Sequence, residues 1–329
     1  MSRVTLRDVA ERAGVSTAAT SQALNDRGNL RPETRDRIKA IAASLGYTPN
    51  KSAAALRSGR TMSIGFVMAT NSLHDGRRAL QRARQLDALV RAGSVRGFTV
   101  TVLPDSRPDL LAGAQLDGLY FPDPSDDRAI LREAQAHGIP VAPVDLTVAL
   151  GGVTIRTGDA AAVRAGLAHL AAAEAGAQRI GFLVDESEVP RDQLGESAYL
   201  AWSAVNGRTP VVSRVDAGRR RLITAVHALL DAGVDAIFAY CEEGPEIYLH
   251  LEEIGVVLPR DLQLLALCTI DCALNDRLGV SHVCLHPERA PDEMFRAFDR
   301  GPVMDHVRDG VLTAPVELPW ELVRGSTTR

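Results

Sequence analysis

TLRDVAERAGVSTAATSQAL, residues 5–24, decides how the amino-terminal part of this 329-residue chain folds. Leu6, Val9, Ala10 and Ala13 recur at helical spacing. Thr5 and Asp8 form a T-x-x-D start in which each end of the pair can cap the other. Gly14 tolerates the left-handed backbone that ends a helix, and Val15 plugs the turn. Ser16 can accept a backbone N–H and open a second helix over about Thr17 to Leu24. Ala19, Ala23 and Leu24 fall on its inner side, and the small Ala10 and Ala19 let the two helices approach. After a loop at Asn25, Asp26 and Gly28, Pro32 starts a third helix, where its missing N–H costs nothing. Ile38, Ile41, Ala42 and Leu45 make its buried stripe, and Gly46 stops it. Helix, tight glycine turn, helix is the helix-turn-helix arrangement, whose second helix enters the major groove of DNA. A generic three-helix bundle is the alternative.

Charge separates the two readings. The chain carries −4 in total, yet residues 1–62 hold 11 Lys and Arg against 5 Asp and Glu, so a basic head sits on an acidic remainder. That asymmetry suits a head that meets a polyanion. Between head and remainder lies TPNKSAAALRSGRT, residues 48–61. Pro49 breaks the third helix, Asn50 can cap a short one, and Gly59 ends it. One or two turns of helix are marginal alone, so a segment with exposed Arg57 and Arg60 beside Leu56 suits folding on a partner. A flexible tether is the alternative.

From about Met62 short apolar runs alternate with helical stretches. SIGFVMA, FTVTVL, LDGLYF, IPVAPVD, VTI, RIGFLVD, VVSRV, AIFAY, LQLLALC and SHVCL read as strands. Helices are expected around 75–93, 159–175, 196–205, 218–233 and 244–255. Continuous apolar strands between helices predict α/β architecture with parallel sheet covered on both faces. Ligands of such folds bind beyond the carboxyl ends of the strands. The expected domains are 1–48, a helix-turn-helix head; 49–61, a hinge helix and linker; and 62–329, a two-lobed effector-binding and dimerisation module.

The chain resembles the lactose-repressor (LacI/GalR) family of bacterial transcriptional regulators. The strings that carry the resemblance are VTLRDVAERAGVS at 4–16, SQALN at 21–25, RPETRDRI at 31–38 and LGYTPNKSAAALRSG at 45–59. LDGLYF at 116–121, GIPVAPVD at 138–145, QRIGFLVD at 178–185, GVVLPRDLQLLAL at 255–267 and ELVRGST at 321–327 extend it more weakly. The resemblance implies an all-α head followed by a two-lobed, periplasmic-binding-protein-like α/β body with three crossovers. It implies a homodimer, formed mainly by the body, that binds a palindromic DNA operator. In the family Thr17, Ala18 and Gln22 correspond to positions that choose bases, with Ser21 and Asn25 also facing DNA. Leu6, Ser16, Thr34, Tyr47 and Asn50 match positions that mostly contact the backbone, and Thr5 is taken with them. Leu56 matches the hinge leucine that wedges into the minor groove, with Ala53 close by; such a wedge exchanges unstacking for a bent, better-contacted duplex.

The departures are informative. Gln22 stands where the family usually has arginine, and Thr20 where it has valine. Arginine favours guanine, whereas glutamine can pair bidentately with adenine, so the preferred half-site should differ. Thr17 and Ala18 are small, so operator deformability should carry more of the specificity. In the cleft, Ala266, Leu267, Cys268 and Thr269 replace the family's G-F/Y-D-D, Cys241 and Glu242 replace an Asn-Asp pair, and Arg156 replaces an aspartate. Arg191 stands one residue too far from Gly195 for R-x-x-G. Losing these groups together argues against a simple sugar, because an unmatched hydroxyl is heavily penalised. Either the effector differs or the cleft senses none. Arg191, Glu242 and Asp271 are the candidate polar cleft groups, against the alternative that each is a surface charge.

Other classes find little support. There is no G-x-G-x-x-G after a strand, no phosphate loop and no H-E-x-x-H, so an enzyme is not expected. DPSDD at 123–127 lacks the pattern of a calcium loop and reads as a solvated turn. Cys241, Cys268, Cys272 and Cys284 read as reduced buried thiols; Cys268 and Cys272 invite a metal, but no histidine–cysteine set at zinc-finger spacing accompanies them. No metal and no cofactor are therefore expected. The charged start lacks the apolar stretch of a secretion signal, and no apolar run approaches the ~20 residues of a membrane span, so a cytoplasmic location is expected.

Overall fold

A computed structural model of the chain describes residues 4–24, 28–47, 61–70, 76–122, 124, 129–146, 152–172, 176–186, 190–216, 221–269, 272–299 and 314–329. Asn25, Asn50, Ala53, Leu56 and Asp271, most of the 49–61 hinge, and DPSDD apart from Pro124 lie outside the described residues. Two compact units divide between Met62 and Ser63.

The head packs α1 (Leu6–Ala13), α2 (Thr17–Leu24) and α3 (Pro32–Ser44) around Val9, Ala13, Ala23, Ile38 and Ala42. Its termini form as the local chemistry demands. The Thr5 hydroxyl accepts from Asp8 N–H at 3.4 Å, and Thr5 N–H donates back to the Asp8 carboxylate at 2.7 Å. Gly14 adopts φ 65°, where an L side chain is strained. Ser16 Oγ accepts from Ala19 N–H at 3.1 Å and opens α2. The inner face of α2 differs from expectation in one respect. Thr20 is fully buried, and Ala19 only half-buried. Threonine is tolerated there because its hydroxyl donates to Ser16 C=O at 3.0 Å, which satisfies the one polar atom valine would lack.

The body begins with β1 (Ser63–Met68), α4 (Gly76–Val95) and β2 (Thr99–Pro104), then β3 (Gly118–Phe121), α5 (Ala129–Ala136) and β4 (Val141–Pro143). These strands form a parallel sheet in the order β2-β1-β3-β4. The chain then passes through β5 (Ile155–Arg156) into a second lobe. There α6 (Asp159–Leu170), β6 (Ile180–Asp185), α7 (Pro190–Val205), β7 (Val211–Val215), α8 (Leu222–Asp231) and β8 (Ala236–Tyr240) follow one another. The lobe continues with α9 (Gly244–Glu253), β9 (Gln263–Cys268), α10 (Cys272–Leu278) and β10 (Ser281–Leu285). It then returns to the first lobe as α11 (Ala290–Asp299) and β11 (Val316–Glu317), which pairs with β5. A last passage delivers β12 (Trp320–Val323) to the second lobe, antiparallel to β10. The second sheet runs β12-β10-β9-β8-β6-β7. Three crossings between the lobes result, as the resemblance implies.

Burial explains the strand reading. β3, β6, β8, β9 and β10 are buried at every position, so they carry no alternation, while the edge strands β2 and β7 show partial exposure. Phe182, Phe238, Tyr199 and Tyr240 stack in the second lobe, and Ile64, Phe66, Leu89 and Tyr120 in the first. The α11 residues Met294 and Phe295 complete the first core from a distant part of the chain. Helix α7 starts at Pro190, six residues before the expected 196, because proline is well placed in a first turn. That earlier start carries Arg191 and Asp192 into the helix.

Candidate nucleic-acid interface and interlobe cleft

On the head, the outer face of α2 is open. Ser16, Thr17, Ala18 and Gln22 are exposed and Ser21 is half-buried, while Thr20 and Ala23 point inward. Thr17, Ala18 and Gln22 thus project from one side of a helix whose start is held by Ser16. Thr5 is also exposed, but its backbone N–H, and then its hydroxyl, donate to Asp8 and hold that carboxyl below its ordinary range. Leu6, Thr34 and Tyr47 are half-buried. Arg37 is tied to Ala13 C=O at 3.3 Å and Arg35 to Gly28 C=O at 3.0 Å, so these two cations brace the head. The Gln22 amide oxygen lies beside Gly28, where any Cβ would come within 2.7 Å of it.

In the body, the carboxyl ends of the two sheets face each other, where open α/β sheets bind ligands. Asp145 follows β4 with φ 56°, a strained value for a residue with a side chain. Thr157 holds it there, donating from its N–H at 2.8 Å and its hydroxyl at 2.6 Å to the Asp145 carboxylate. Asp159, at the start of α6, is buried, accepts from the Tyr240 hydroxyl and lies within hydrogen-bond reach of the Thr157 hydroxyl oxygen. Arg191 reaches the same centre. Its guanidinium lies 3.4 Å from Asp192 and 3.5 Å from Glu242, and 3.5 Å from Gln81 of α4 in the other lobe. The one-residue offset from Gly195 therefore does not remove Arg191 from the cleft. Gly195 itself sits where a Cβ would lie 2.2 Å from the Tyr240 ring, so α7 can approach β8 only as glycine.

Burial away from water, with the neighbouring Asp159 charge, pushes the Asp145 carboxyl up to about 7. Asp159 is raised for the same reason, burial first, against the lowering pull of Arg191. Burial alone would lower the Arg191 guanidinium; Asp192 and Glu242 outweigh it and hold the group well above its ordinary value. Arg156 is exposed and lies 3.7 Å from Glu317. The cavity left beside Arg191, Asp145 and Thr157 is about 30 Å³, room for roughly one water. Asp145, Thr157, Asp159 and Tyr240 were missed by the sequence reading, although Asp145 closes the quoted string GIPVAPVD.

A larger cavity of about 640 Å³ lies alongside, between α4 and the ends of β9 and β10. Cys272 and Cys284 open onto it. The sequence spacing pairs Cys268 only with Cys272, but the parallel register sets Cys284 directly opposite Cys268. The three sulfurs lie within 4.8 Å of one another, and all three cysteines are free thiols. Their thiols are pushed up to about 12, chiefly by hydrogen bonds among themselves. Cys241 stays apart in the apolar core.

A helix-turn-helix head joined to a two-lobed α/β body defines a class of one-chain regulators. Residues 5–50 match the family described as bacterial regulatory proteins, lacI family. The lactose operon repressor of Escherichia coli K12 is 32% identical over 219 residues, which are 65% of this chain and 60% of that protein. The HTH-type regulator PtxS of Pseudomonas plecoglossicida is 47% identical over 68 residues, 20% of each chain. The dimeric lac repressor bound to operator and an anti-inducer superposes with a TM-score of 0.78 at 20% identity, covering 99% of both chains. The cellobiose complex of the regulator CelR gives 0.61 at 21%, covering 99% of this chain and 100% of that one. The head is thus similar to the lacI-family domain and the body shares the fold of the lac repressor, while the chain spans about 60% of the length of the curated lactose operon repressor it matches. Among the described residues no helix is long and apolar enough to cross a membrane.

Proposed function

We propose that the protein is a DNA-binding transcriptional repressor that grips a palindromic operator as a homodimer. The observation that carries this reading is the exposed row Ser16, Thr17, Ala18 and Gln22 on a capped α2, within a basic head. In this reading the amino-terminal end of α2 enters the major groove. Thr17 and Ala18 touch thymine methyls, Gln22 selects a base, and Ser16, Thr34, Tyr47 and Asn50 meet phosphates. Ser21 and Asn25 face the same groove. Residues 49–61 form the hinge, with Leu56 and Ala53 in the minor groove at the operator centre. The body forms the dimer, and its cleft, with Arg191, Glu242 and Asp271, is the place where a small molecule would bias the head.

One observation favours a second reading, a regulator or activator whose central cleft takes no ligand. Arg191 is engaged by its own carboxylates, and the space beside it is about 30 Å³, while a separate cavity of about 550 Å³ is lined by Asp145, Asp159 and Arg156. Selection from randomised duplexes tests both. The expected product is a palindrome with a half-site unlike that of arginine-bearing relatives. Affinity for it should fall steeply with salt, by about 0.9 in log–log slope per phosphate neutralised. Folded, dimeric protein that enriches no sequence and shows no salt-dependent binding would refute the proposal.

A further inference from the structure

We propose that Cys268, Cys272 and Cys284 form a site for one thiophilic d¹⁰ cation, Zn²⁺ or Cu⁺, and that its occupancy controls operator binding. The first part stands on the body alone; the second rests on the function proposed above. Cys268 ends β9, Cys272 begins α10, and Cys284 lies on β10 opposite Cys268. Their sulfurs are 2.7 Å (Cys268 to Cys272) and 2.9 Å (Cys272 to Cys284) apart. Sulfurs held at ~2.3 Å around a tetrahedral ion stand about 3.8 Å from each other, so the three need only spread by about 1 Å to admit one. A disulfide uses two sulfurs; three converging on one point is what a soft cation requires.

The surroundings fit an ion better than three core thiols. The 640 Å³ cavity beside Cys272 and Cys284 gives an entry path and an open fourth position. His286 is the nearest further donor, its Nδ1 3.8 Å from Cys284 Sγ. Glu288 lies 3.2 Å from Nδ1 and Glu321 3.7 Å from Nε2. If Nδ1 exchanges Glu288 for the ion, Nε2 has to close from 3.7 Å onto Glu321 to gain the usual support of a ligating histidine. Arg84 and Arg91 of α4 line the opposite wall, Arg91 paired with Asp87, and Glu288 and Asp292 line the same cavity. Each thiol that binds gives its proton to solvent, and no electron is transferred. Because one wall belongs to the first lobe and the sulfurs to the second, an ion there acts at the lobe interface, where a difference in affinity between open and closed forms shifts their balance.

The test uses the full-length protein with a non-chelating reductant. Co²⁺ is titrated first and Zn²⁺ second, followed by thiolate-to-metal absorption and elemental analysis. One ion per chain is expected, with Cys272→Ser and Cys284→Ser each weakening binding at least a hundredfold, and His286→Ala about tenfold to a hundredfold. Circular dichroism and sizing establish that the variants fold and pair. No thiolate absorption in the wild type, or unchanged affinity in both folded serine variants, overturns the site. So does oxidation to a disulfide without metal uptake. Operator affinity is then measured with and without Zn²⁺. A change of tenfold or more, absent in Cys272→Ser, supports control. Metal binding with unchanged operator affinity overturns control alone, and failure to bind any DNA overturns the earlier reading while the metal site stands.

Discussion

Replacing Arg191 by methionine should destabilise the body by about 3–5 kcal/mol at neutral pH. The guanidinium lies within reach of two carboxylates that are almost fully withdrawn from water, Asp192 at 2% and Glu242 at 7% side-chain exposure. Methionine keeps the volume but leaves those charges buried without it. The molecule can escape by protonating one of them. Taking a carboxyl with an ordinary value near 4 to its neutral form at pH 7 costs about 1.4 kcal/mol per unit, or about 4 kcal/mol, which agrees with the direct figure. The sign with pH follows. With Arg191 gone the folded-state carboxyls rise above their unfolded values, so the native state binds more protons between about pH 4 and 7. Stability of the variant is then greatest at the acid end of that window and lost as pH rises through it. The deficit against wild type should shrink to about 1–2 kcal/mol at pH 5. Urea unfolding followed by tryptophan fluorescence measures it cleanly, because the two tryptophans, Trp202 and Trp320, both belong to the body. A loss below about 1 kcal/mol at pH 7, or a deficit that grows toward pH 5, would refute the electrostatic account.

Asp145, already raised to about 7, should make the wild-type body lose stability as pH climbs from about 4 to 7, and Asp145→Asn should flatten that slope in the same urea series. Gln22→Arg should move base preference at one symmetric half-site position by about 1–3 kcal/mol toward guanine, read by site selection. Leu56→Ala should weaken operator binding and reduce bending in a gel-shift assay while sedimentation shows the dimer unchanged. Thr20→Val should leave the stability of the head within about 0.5 kcal/mol, since the hydroxyl it removes is paired only within its own helix; thermal melts of the isolated head, if it folds, or hydrogen exchange in the full chain measure this.

Much of this was written locally. Thr5 with Asp8, Gly14 and Ser16 are capping and turn residues whose partners lie three or four positions away, so the order of the head follows from short-range hydrogen bonding. The nearly continuous apolar strands Ile180–Asp185, Ala236–Tyr240 and Gln263–Cys268 announced a sheet covered on both faces. Reading fell short where the periodic signal is brief. The eight residues of α5 and seven of α10 offer two turns each, and α11 is amphipathic toward a core it rejoins from some 170 residues away.

By itself, then, the sequence determined the helical head, the parallel sheets and which face of α2 is free, because capping, periodicity and side-chain polarity act over a few residues. Tertiary structure alone decided what meets in the cleft. Asp145, Thr157 with Asp159, Arg191 and Tyr240 come from four separate segments, and Cys284 reaches Cys268 across sixteen residues. Those meetings depend on strand order and register, which are set by burial summed over whole sheets rather than by any residue's neighbours in the chain.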